Sequence, residues 1–303
     1  MARWLLAFPI AFTLASISTG DLAAETIAVV GWNTESGGAD DGTLDDLIRD
    51  AQGVDLWGFS EVETGWMSTF TAAAEAGEGA DFKSVLGTTG GGDRLLIVYD
   101  ADRFDLVDSM ELNEINALGR VRAPLVAHLR LKSTGQELLF MVNHLYRSRA
   151  EQRHIQSEQL NAWAAAQSLP VIAVGDYNYD WAVKGGDGDH DEGFDRITAN
   201  AVFEWIRPAE LVRTQCSSFN SVLDFVFASG QAQSWSATSE ILERQPDYCP
   251  DDAKTSDHRP VRASFELNGS SPSERSEILQ LIQGLQKQLD ELRTTAERLP
   301  GTN

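Results

Sequence analysis

The sequence alternates short apolar runs with polar or glycine-rich stretches, and most of the runs are rich in β-branched and aromatic residues. Runs of this composition between turn residues predict β-strands. The expected strands span residues 26–33, 54–62, 94–100, 170–178, 222–229 and 260–267, and residues 124–145 form a hairpin that turns at residues 133–135.

Two other stretches have their apolar residues at helical spacing. Residues 43–52 predict a helix with Thr43 as its N-cap, and residues 149–167 predict a longer helix. Many strands with a few helices between them indicate an α/β sandwich. The sequence contains no internal repeat, and its 303 residues suit one large domain or two small ones.

The N-terminus has the features of a signal peptide over residues 1–24. Arg3 gives a positive start, residues 4–18 form an apolar core too short for a comfortable membrane span, and small residues precede a cleavage site after Ala24. The alternative is an uncleaved anchor. Cleavage would leave a periplasmic or secreted protein, because no other segment is apolar enough to cross a bilayer.

The C-terminus is set apart by a polar, serine-rich stretch at residues 268–274. We therefore expect one domain over residues 25–268, followed by a linker and a helix over residues 269–303. Apolar residues in that helix recur at alternating spacings of four and three, as in a coiled coil of about three heptads. They are Ile278, Ile282, Leu285, Leu289, Leu292, Ala296 and Leu299. Self-association through this helix and docking of the helix on its own domain are equal alternatives.

The chain is strongly acidic, with 46 acidic against 24 basic residues and a formal net charge of −22. This charge argues against non-specific adhesion to nucleic acid or anionic membranes. It does not exclude a nucleic-acid substrate, because an active site needs only local positive charge and a metal ion supplies that. Salt adaptation is another explanation. The cysteines, Cys216 and Cys249, predict a disulfide in an oxidising compartment, with two free buried thiols as the alternative.

Polar side chains recur where the predicted strands end. They are Asn33, Glu61, His144, Asp176, Asn178, Asp257 and His258, and Asp224 lies inside an apolar strand. Each has a simpler explanation as a turn or loop residue. Asp224 resists that explanation because a carboxylate among Val, Leu and Phe is costly to bury without a partner, and histidine is the obvious partner. Together these positions predict that two packed sheets bring polar groups to one rim.

Hydrolysis of a phosphate ester is the chemistry that suits these groups. The oxygen ligands of Glu61, Asn33 and Asp257 suit Mg²⁺, Mn²⁺ or Ca²⁺. The clusters contain no cysteine, which argues against a structural zinc site. A histidine held by an aspartate is a general acid or base, and a second histidine can donate to a phosphoryl oxygen.

Six segments, "WNT", "GFSEVE", "NHLYR", "GDYN", "SVLDFVF" and "SDHRPV", occur in this order. Together they resemble the endonuclease/exonuclease/phosphatase superfamily of deoxyribonuclease-like, metal-dependent phosphoesterases. The resemblance covers residues 26–267 and implies a four-layered α/β sandwich, in which two mixed β-sheets pack face to face between outer helices.

The resemblance also implies a role for each position. Asn33 and Glu61 match residues on the metal side, His144 matches a phosphate contact, and Asp176 and Asn178 match the pair that orients the attacking water. Asp224 matches the aspartate that orients the last histidine. Asp257 and His258 match the closing pair, and both His258 and Asp176 are candidates for the general base.

Some charged residues are weaker candidates for phosphate or metal binding. Arg122 and Arg147 are candidate phosphate ligands, with ordinary surface arginines as the alternative. Arg94, after the glycine-rich loop, is a weaker candidate than these two arginines, and for Glu63, two residues after Glu61, contact with the metal and contact with solvent are alternatives. The alternating carboxylates Asp187, Asp189 and Asp191 depart from the EF-hand pattern, so a solvated acidic loop is favoured over a Ca²⁺ site.

The sequence therefore predicts a secreted or periplasmic, divalent-metal-dependent phosphoesterase, with a nuclease as the first hypothesis. A lipid or inositol phosphate phosphoesterase is an alternative, although residues 203–208 are the only faint candidate for a membrane-inserting segment. A catalytically inactive binding module is the other alternative. It is disfavoured because every matched catalytic position is filled.

Overall fold

The computed structural model describes residues 25–216, 220–243, 249 and 254–267, together with positions 281, 284 and 287. The expected signal peptide and most of the C-terminal segment lie outside the described residues. Leu281, Gly284 and Lys287 are helical and exposed. In the part of the chain that the structure describes, no helix has the length and apolar character needed to span a membrane.

The first of two six-stranded sheets is built around a parallel pair of strands, β1 (Glu25–Asn33) and β2 (Leu56–Val62). Helix α1 (Asp41–Asp50) connects them. The other strands of this sheet pair antiparallel, and they are β3 Phe82–Leu86, β4 Arg94–Asp100, β11 Ser236–Ile241 and β12 Val261–Leu267. The strand order is β11-β12-β1-β2-β4-β3.

The second sheet repeats this plan around the parallel pair β7 (Glu137–His144) and β8 (Val171–Ala182), which α3 (Ala150–Ala165) connects. The antiparallel strands of this sheet are β5 Phe104–Glu111, β6 Leu125–Leu131, β9 Phe203–Trp205 and β10 Ser221–Ser229. The strand order is β5-β6-β7-β8-β10-β9. Both sheets are mixed, as predicted.

Three buried clusters define four layers. One cluster, which includes Ile27 and Val29, fills the space between the sheets. A second packs α1 and α2 (Trp66–Glu78) on the outer face of the first sheet, and a third packs α3 and α4 (Glu192–Thr198) on the second. Full burial of each large apolar side chain contributes roughly 1.5–3 kcal/mol. The predicted four-layered sandwich is confirmed.

The two sheets approach closely beneath the predicted site. A Cβ atom on Gly58 would lie 2.4 Å from Val174 Cγ2, and one on Gly31 would lie 2.9 Å from Val174 Cβ. Both distances are too short for real contacts, so only glycine fits at these two positions. The close approach brings the ends of β1 and β2 within reach of the middle of β8.

The predicted N-cap of the first helix is wrong. Helix α1 begins at Asp41, and Asp40 is the N-cap, because its side chain accepts a hydrogen bond from Thr43 N at 2.9 Å. Thr43 instead lies in the first turn and donates its hydroxyl to the same carboxylate. Aspartate and threonine both cap helices well, so spacing alone did not distinguish them.

Candidate active site

Strand register in the second sheet aligns three ionisable side chains. His144 is opposite Asp176 in the parallel β7–β8 pair, and Asp176 is opposite Asp224 in the antiparallel β8–β10 pair. All three are buried. The register therefore places a histidine and two carboxylates next to one another on neighbouring strands, at the rim predicted from the sequence.

The first sheet contributes Asn33 and Glu61. Glu61 lies in an irregular stretch of β2 and has φ 56°, a left-handed conformation that is rare outside glycine and concentrates at functional sites. Asn33 Nδ2 donates to Glu61 Oε1 at 3.0 Å and to Asp176 Oδ2 at 3.1 Å. One amide group thus joins the two sheets at the centre of the site.

Asp224 and His258 form the expected pair. Asp224 Oδ2 lies 2.8 Å from His258 Nδ1, and both side chains are almost fully buried. The segment that carries His258 is fixed from both sides, because Trp32 Nε1 donates to His258 O and Ser256 Oγ donates to Asn33 O. The imidazole therefore has one orientation, with Nε2 turned towards Asp176.

A short stretch at residues 214–216 holds Asp257 and His258 in place. Gln215 forms a β-bridge with His258, Cys216 N donates to Asp257 O at 2.7 Å, and Gln215 Nε2 donates to Asp257 Oδ2 at 2.9 Å. Cys216 is bonded to Cys249, so the predicted disulfide is confirmed. The disulfide is attached directly to the stretch that positions the closing Asp-His pair.

Asp176 Oδ2 is the point where these groups meet. It lies 3.1 Å from Asn33 Nδ2, 3.5 Å from His144 Nε2 and 4.0 Å from His258 Nε2. Burial raises the pKa of Asp176 to about 7, and the negative charge of Asp224 adds to the rise. A carboxylate with this pKa can exchange a proton near neutral pH.

The two histidines have opposite electrostatic environments. Burial lowers the pKa of His144 well below its usual range, and the positive charges of Arg122, His258 and Arg147 lower it further. Burial also opposes protonation of His258, but the charges of Asp224, Asp176 and Asp257 outweigh it and raise the pKa to about 10. At neutral pH His144 is neutral and His258 is an imidazolium.

Asn178 supports the site from beside Asp176. Its φ of 54° is again left-handed. Its backbone N–H donates to Asp176 Oδ1 at 2.9 Å, and its Nδ2 donates to Leu145 O at 3.3 Å. Asn178 therefore fixes the orientation of Asp176, and its predicted contact with the attacking water stays a prediction.

The two candidate phosphate ligands differ in exposure. Arg122 is largely buried and forms an ion pair with Asp93, whereas Arg147 is exposed. Both lie close enough to His144 for their charge to affect its pKa. Asp93 could not be recognised from the sequence as the partner of Arg122, because it lies 29 residues away in a glycine-rich loop.

Several residues that the sequence did not predict support the site through hydrogen bonds to the segments that carry its side chains. Ser256 Oγ donates to Asn33 O, Gln215 Nε2 donates to Asp257 Oδ2, and Thr214 Oγ1 accepts from Asp224 N at 3.3 Å. Glu35 Oε2 accepts from Asp257 N at 2.8 Å. Ordinary polar residues in loops carry no sequence signal of this kind, because their partners are distant in the chain.

The site's residues fit a divalent cation. Burial raises the pKa of Glu61, and Asp93 adds to the rise, so a cation at this carboxylate would relieve an unfavourable charge. Asp224 Oδ1 is buried without a hydrogen-bond partner among the described residues. Asp176, Asp224 and His258 also have their ligand atoms within 4.8 Å of one another, although His258 Nδ1 is already bonded to Asp224.

The amide of Asn33 faces the carboxylates through its nitrogen, while Asn33 Oδ1 accepts from Glu35 N at 3.1 Å. Asn33 therefore orients the carboxylates in this arrangement, and its place among the metal ligands stays a prediction. Glu61 and Asp257 are both partly exposed at the rim. Their oxygens are ligands of the type that Mg²⁺ and Mn²⁺ prefer.

The acidic loop does not gather its carboxylates. Asp191 is the N-cap of α4 and pairs with Arg153, with Nε–Oδ1 3.1 Å, and Asp187 pairs with Arg207 at 3.1 Å. Among the described residues, the loop's aspartates do not form a metal-binding group. Asp191 therefore has a structural role, and the interpretation of the stretch as an acidic surface loop stays a prediction.

Comparison with known proteins gives one family match. The profile of the Endonuclease/Exonuclease/phosphatase family matches residues 30–258, which include every candidate catalytic and metal position. A search of curated protein sequences found no significant match.

Solved structures with this fold are numerous. The mannosyl-6-phosphatase of Bacteroides thetaiotaomicron is 20% identical with a TM-score of 0.58, over 79% of this chain and 99% of that one. The catalytic domain of human Nocturnin with bound sulfate is 15% identical with a TM-score of 0.58, over 79% and 94%. A humanized D. rerio TDP2 is 16% identical with a TM-score of 0.60, over 79% and 98%. At these identities the likeness concerns the fold.

Proposed function

Because this chain belongs to the endonuclease/exonuclease/phosphatase family, we propose that it is a divalent-metal-dependent phosphoesterase that cleaves phosphodiester bonds, with nucleic acid as its substrate. One observation carries the proposal. Asp176 Oδ2 lies within 4.0 Å of His144 Nε2 and His258 Nε2, and Asn33 joins it to Glu61. Three functions therefore meet at Asp176 Oδ2. The Asp176 carboxylate accepts a proton, His258 is a cationic hydrogen-bond donor, and His144 is a neutral donor.

Hydrolysis requires a bond from water oxygen to phosphorus and cleavage of the bond from phosphorus to the leaving oxygen, which departs with the bonding electron pair and takes a proton from solvent water. Asp176 takes the proton of the attacking water, because its raised pKa makes it a base near neutral pH. The protonated His258 donates from Nε2 to a phosphoryl oxygen, and His144 Nε2 is placed to do the same. Charge that builds on these oxygens is stabilised by donors already in position.

Glu61 and Asp257 would hold the divalent cation, and Asn33 would fix the orientation of Glu61. When bound, the cation neutralises negative charge on the phosphate. Asp224 does not touch the substrate in this scheme. It fixes the imidazole of His258 through the 2.8 Å hydrogen bond at Nδ1.

A phosphomonoesterase is the second candidate. The formal net charge of −22 favours a small soluble substrate over a long polyanion. A lipid substrate has less support, because Phe203 and Ile206, in the one segment considered for membrane insertion, are buried. The confirmed disulfide supports the proposed periplasmic or secreted location.

A substrate panel with and without EDTA tests the proposal. Plasmid DNA, RNA, sphingomyelin, inositol phosphates, a sugar phosphate and bis(p-nitrophenyl) phosphate are incubated with purified protein and Mg²⁺ or Mn²⁺. Cleavage of nucleic acid and of the generic diester, abolished by EDTA, is the expected result. Activity confined to phosphomonoesters would favour the second candidate, and metal-independent activity would overturn the proposed mechanism.

A further inference from the structure

One side of the catalytic rim carries an unusual density of positive charge. Three connecting segments, residues 87–94, 116–122 and 146–149, contain one acidic residue, Asp93, and five arginines, while Glu114 lies just before the second segment and the Glu111 carboxylate accepts hydrogen bonds from the first. The arginines are Arg94, Arg120, Arg122, Arg147 and Arg149. In a chain with 46 acidic and 24 basic residues this is a local reversal of charge.

Strand pairing places all three connections at the catalytic end of the sandwich. Arg94 is opposite Val62, directly after Glu61. Leu125, which follows the second connection, is opposite Val142, two residues before His144. The third connection begins just after His144. The arginines therefore flank the reacting groups on the side of β4, β6 and β7.

Two of these connections enclose a pocket of about 200 Å³. We call it the arginine pocket, and its lining residues are Gly90, Gly91, Asp93, Gly119, Arg120, Val121 and Arg122. The two loops are tied together by the Arg122–Asp93 ion pair and by a hydrogen bond from Ala123 N to Thr89 Oγ1 at 2.9 Å. Arg122 connects the pocket to the catalytic centre, since its charge acts on both Glu61 and His144.

The loop at residues 116–122 has a strained backbone. Ala117, Leu118 and Gly119 have φ of 50°, 61° and 79° in succession, and L-residues avoid this left-handed region. Asn116 holds the turn, because its Oδ1 accepts from Gly119 N and its carbonyl accepts from Arg120 N. Strain of this kind concentrates at functional sites.

The strained turn presents an apolar and a charged side chain to solvent. Leu118 is 93% exposed, which makes it the most exposed large hydrophobic side chain among the described residues. Arg120, two residues later, is exposed at the mouth of the arginine pocket. Packing within the domain explains neither the exposure of Leu118 nor the strain that produces it.

We propose that the arginine pocket binds the nucleotide next to the scissile phosphodiester. Arg120 pairs with its phosphate, and Leu118 packs against its base. The inference rests on the proposed function, and it makes the substrate a nucleic-acid strand that extends from the catalytic centre towards β4 and β6. A flanking phosphate needs a cation at a fixed distance from the centre, and a base offers a flat apolar face to Leu118.

Short defined substrates test this subsite. The dinucleotide TpT has one cleavable diester, whereas pTpT and TpTp each add one terminal phosphate on one side. Wild-type kcat/KM should rise at least about tenfold for one of the two phosphorylated forms, which corresponds to roughly 1.4 kcal/mol. Arg120→Ala should reduce that ratio to near one, and Arg120→Lys should retain part of it because it keeps the charge.

Arg130→Ala is the matched control, because Arg130 is exposed on β6 away from the rim, where it pairs with Glu137. It should leave the ratio unchanged. Leu118→Ser should lower kcat/KM for TpT more than for bis(p-nitrophenyl) phosphate, which has no base. Melting curves of each variant confirm folding.

Failure of the subsite and failure of the proposed function give different results. If wild-type protein cleaves bis(p-nitrophenyl) phosphate and TpT but gains nothing from either terminal phosphate, or if Arg120→Ala keeps the gain, the subsite is wrong and the proposed function survives. If no diester is cleaved at all, the proposed function fails and the subsite fails with it.

Discussion

His258 directs Nδ1 at Asp224 Oδ2, 2.8 Å away, and this contact turns its Nε2 towards Asp176 Oδ2 at 4.0 Å. A buried carboxylate thus holds one edge of the imidazole, while the other edge faces the place where a phosphate would react. Asp224 is costly to bury alone, so the pair is required by the fold as well as by the proposed chemistry.

Asp224 and His258 should act as one functional unit. His258→Ala and Asp224→Asn should each lower turnover by at least roughly 10²-fold, the usual scale for a positioned acid–base group. The double variant should be little worse than the more damaged single variant, because both changes remove the same function. Turnover of the four proteins on bis(p-nitrophenyl) phosphate gives the double-mutant cycle.

His128→Ala is the control for this cycle. His128 forms a comparable pair with Glu137, Nε2–Oε2 2.9 Å, on the surface of β6. Its loss should leave turnover near normal. Multiplicative losses for Asp224 and His258 would show independent roles, and near-normal turnover of His258→Ala would discard the assignment.

Turnover should have a bell-shaped pH dependence. Asp176 must lose its proton to act as a base, so activity rises as pH passes through its pKa of about 7. His258 must keep its proton, facing Asp224, Asp176 and Asp257, so activity falls through its pKa of about 10. A cation at Glu61 opposes the crowding of negative charge, so the acidic limb should move to lower pH as Mg²⁺ is raised. An acidic limb whose position does not change with the Mg²⁺ concentration would contradict the expected effect of the cation on Asp176.

Glu61 should be needed for metal binding. Glu61→Gln removes the charge of a proposed ligand and should weaken Mn²⁺ binding, measured by calorimetry, at least about tenfold. The matched control is Glu63→Gln. Glu63 lies two residues along the chain, and its Oε1 is already engaged as the acceptor of a hydrogen bond from Gly37 N at 3.0 Å. Equal affinities for the two variants would remove Glu61 from the ligand set.

Loss of the disulfide should affect stability and activity together. Replacing Cys216 and Cys249 by serine should lower the free energy of unfolding by about 3–4 kcal/mol on the chain-entropy model. Turnover should also fall, because residues 214–216 hold Asp257 and His258 in place. Urea unfolding and turnover are measured with and without dithiothreitol. Reductant should reproduce the loss in the wild type and change nothing in the serine variant, and a fully stable serine variant would refute the expectation.

The C-terminal segment should be separable from catalysis. Deletion of residues 270–303 leaves every proposed catalytic residue in place and should keep turnover on bis(p-nitrophenyl) phosphate. If the predicted heptads associate, light scattering should show a lower oligomeric state after deletion. A folded but inactive truncation would show that the segment belongs to the site.

Local pattern predicted an α/β sandwich and the meeting of polar groups at one rim, and the resemblance to the family implied the four layers. Apolar runs mark the central strands, and Asp224 is conspicuous because its neighbours are apolar. Strand β5 was missed for the opposite reason. It lies at a sheet edge, most of its side chains are exposed, and its buried residue Phe104 is isolated in the sequence.

Apart from the Asp224–His258 pair and the disulfide, contacts between distant segments could not be predicted. The glycine at position 58 is required by Val174, and Asn33 bridges Glu61 and Asp176 only because the sheets approach closely there. The ion pair between Arg122 and Asp93 similarly depends on two loops that meet across the sandwich. Local periodicity carries no information on such distances.

Strand β1 pairs with β12, so the site can be complete only after β12 has been synthesised. Strand β1 ends in Asn33, and it is hydrogen-bonded along its length to β12, which follows His258 directly. A chain still being synthesised has Asn33, Glu61 and Asp176 but lacks His258 and the strand that anchors it. If His258 acts as proposed, we therefore expect hydrolysis only after the end of the domain has joined its beginning, and a nascent or prematurely terminated chain should not cleave phosphate esters.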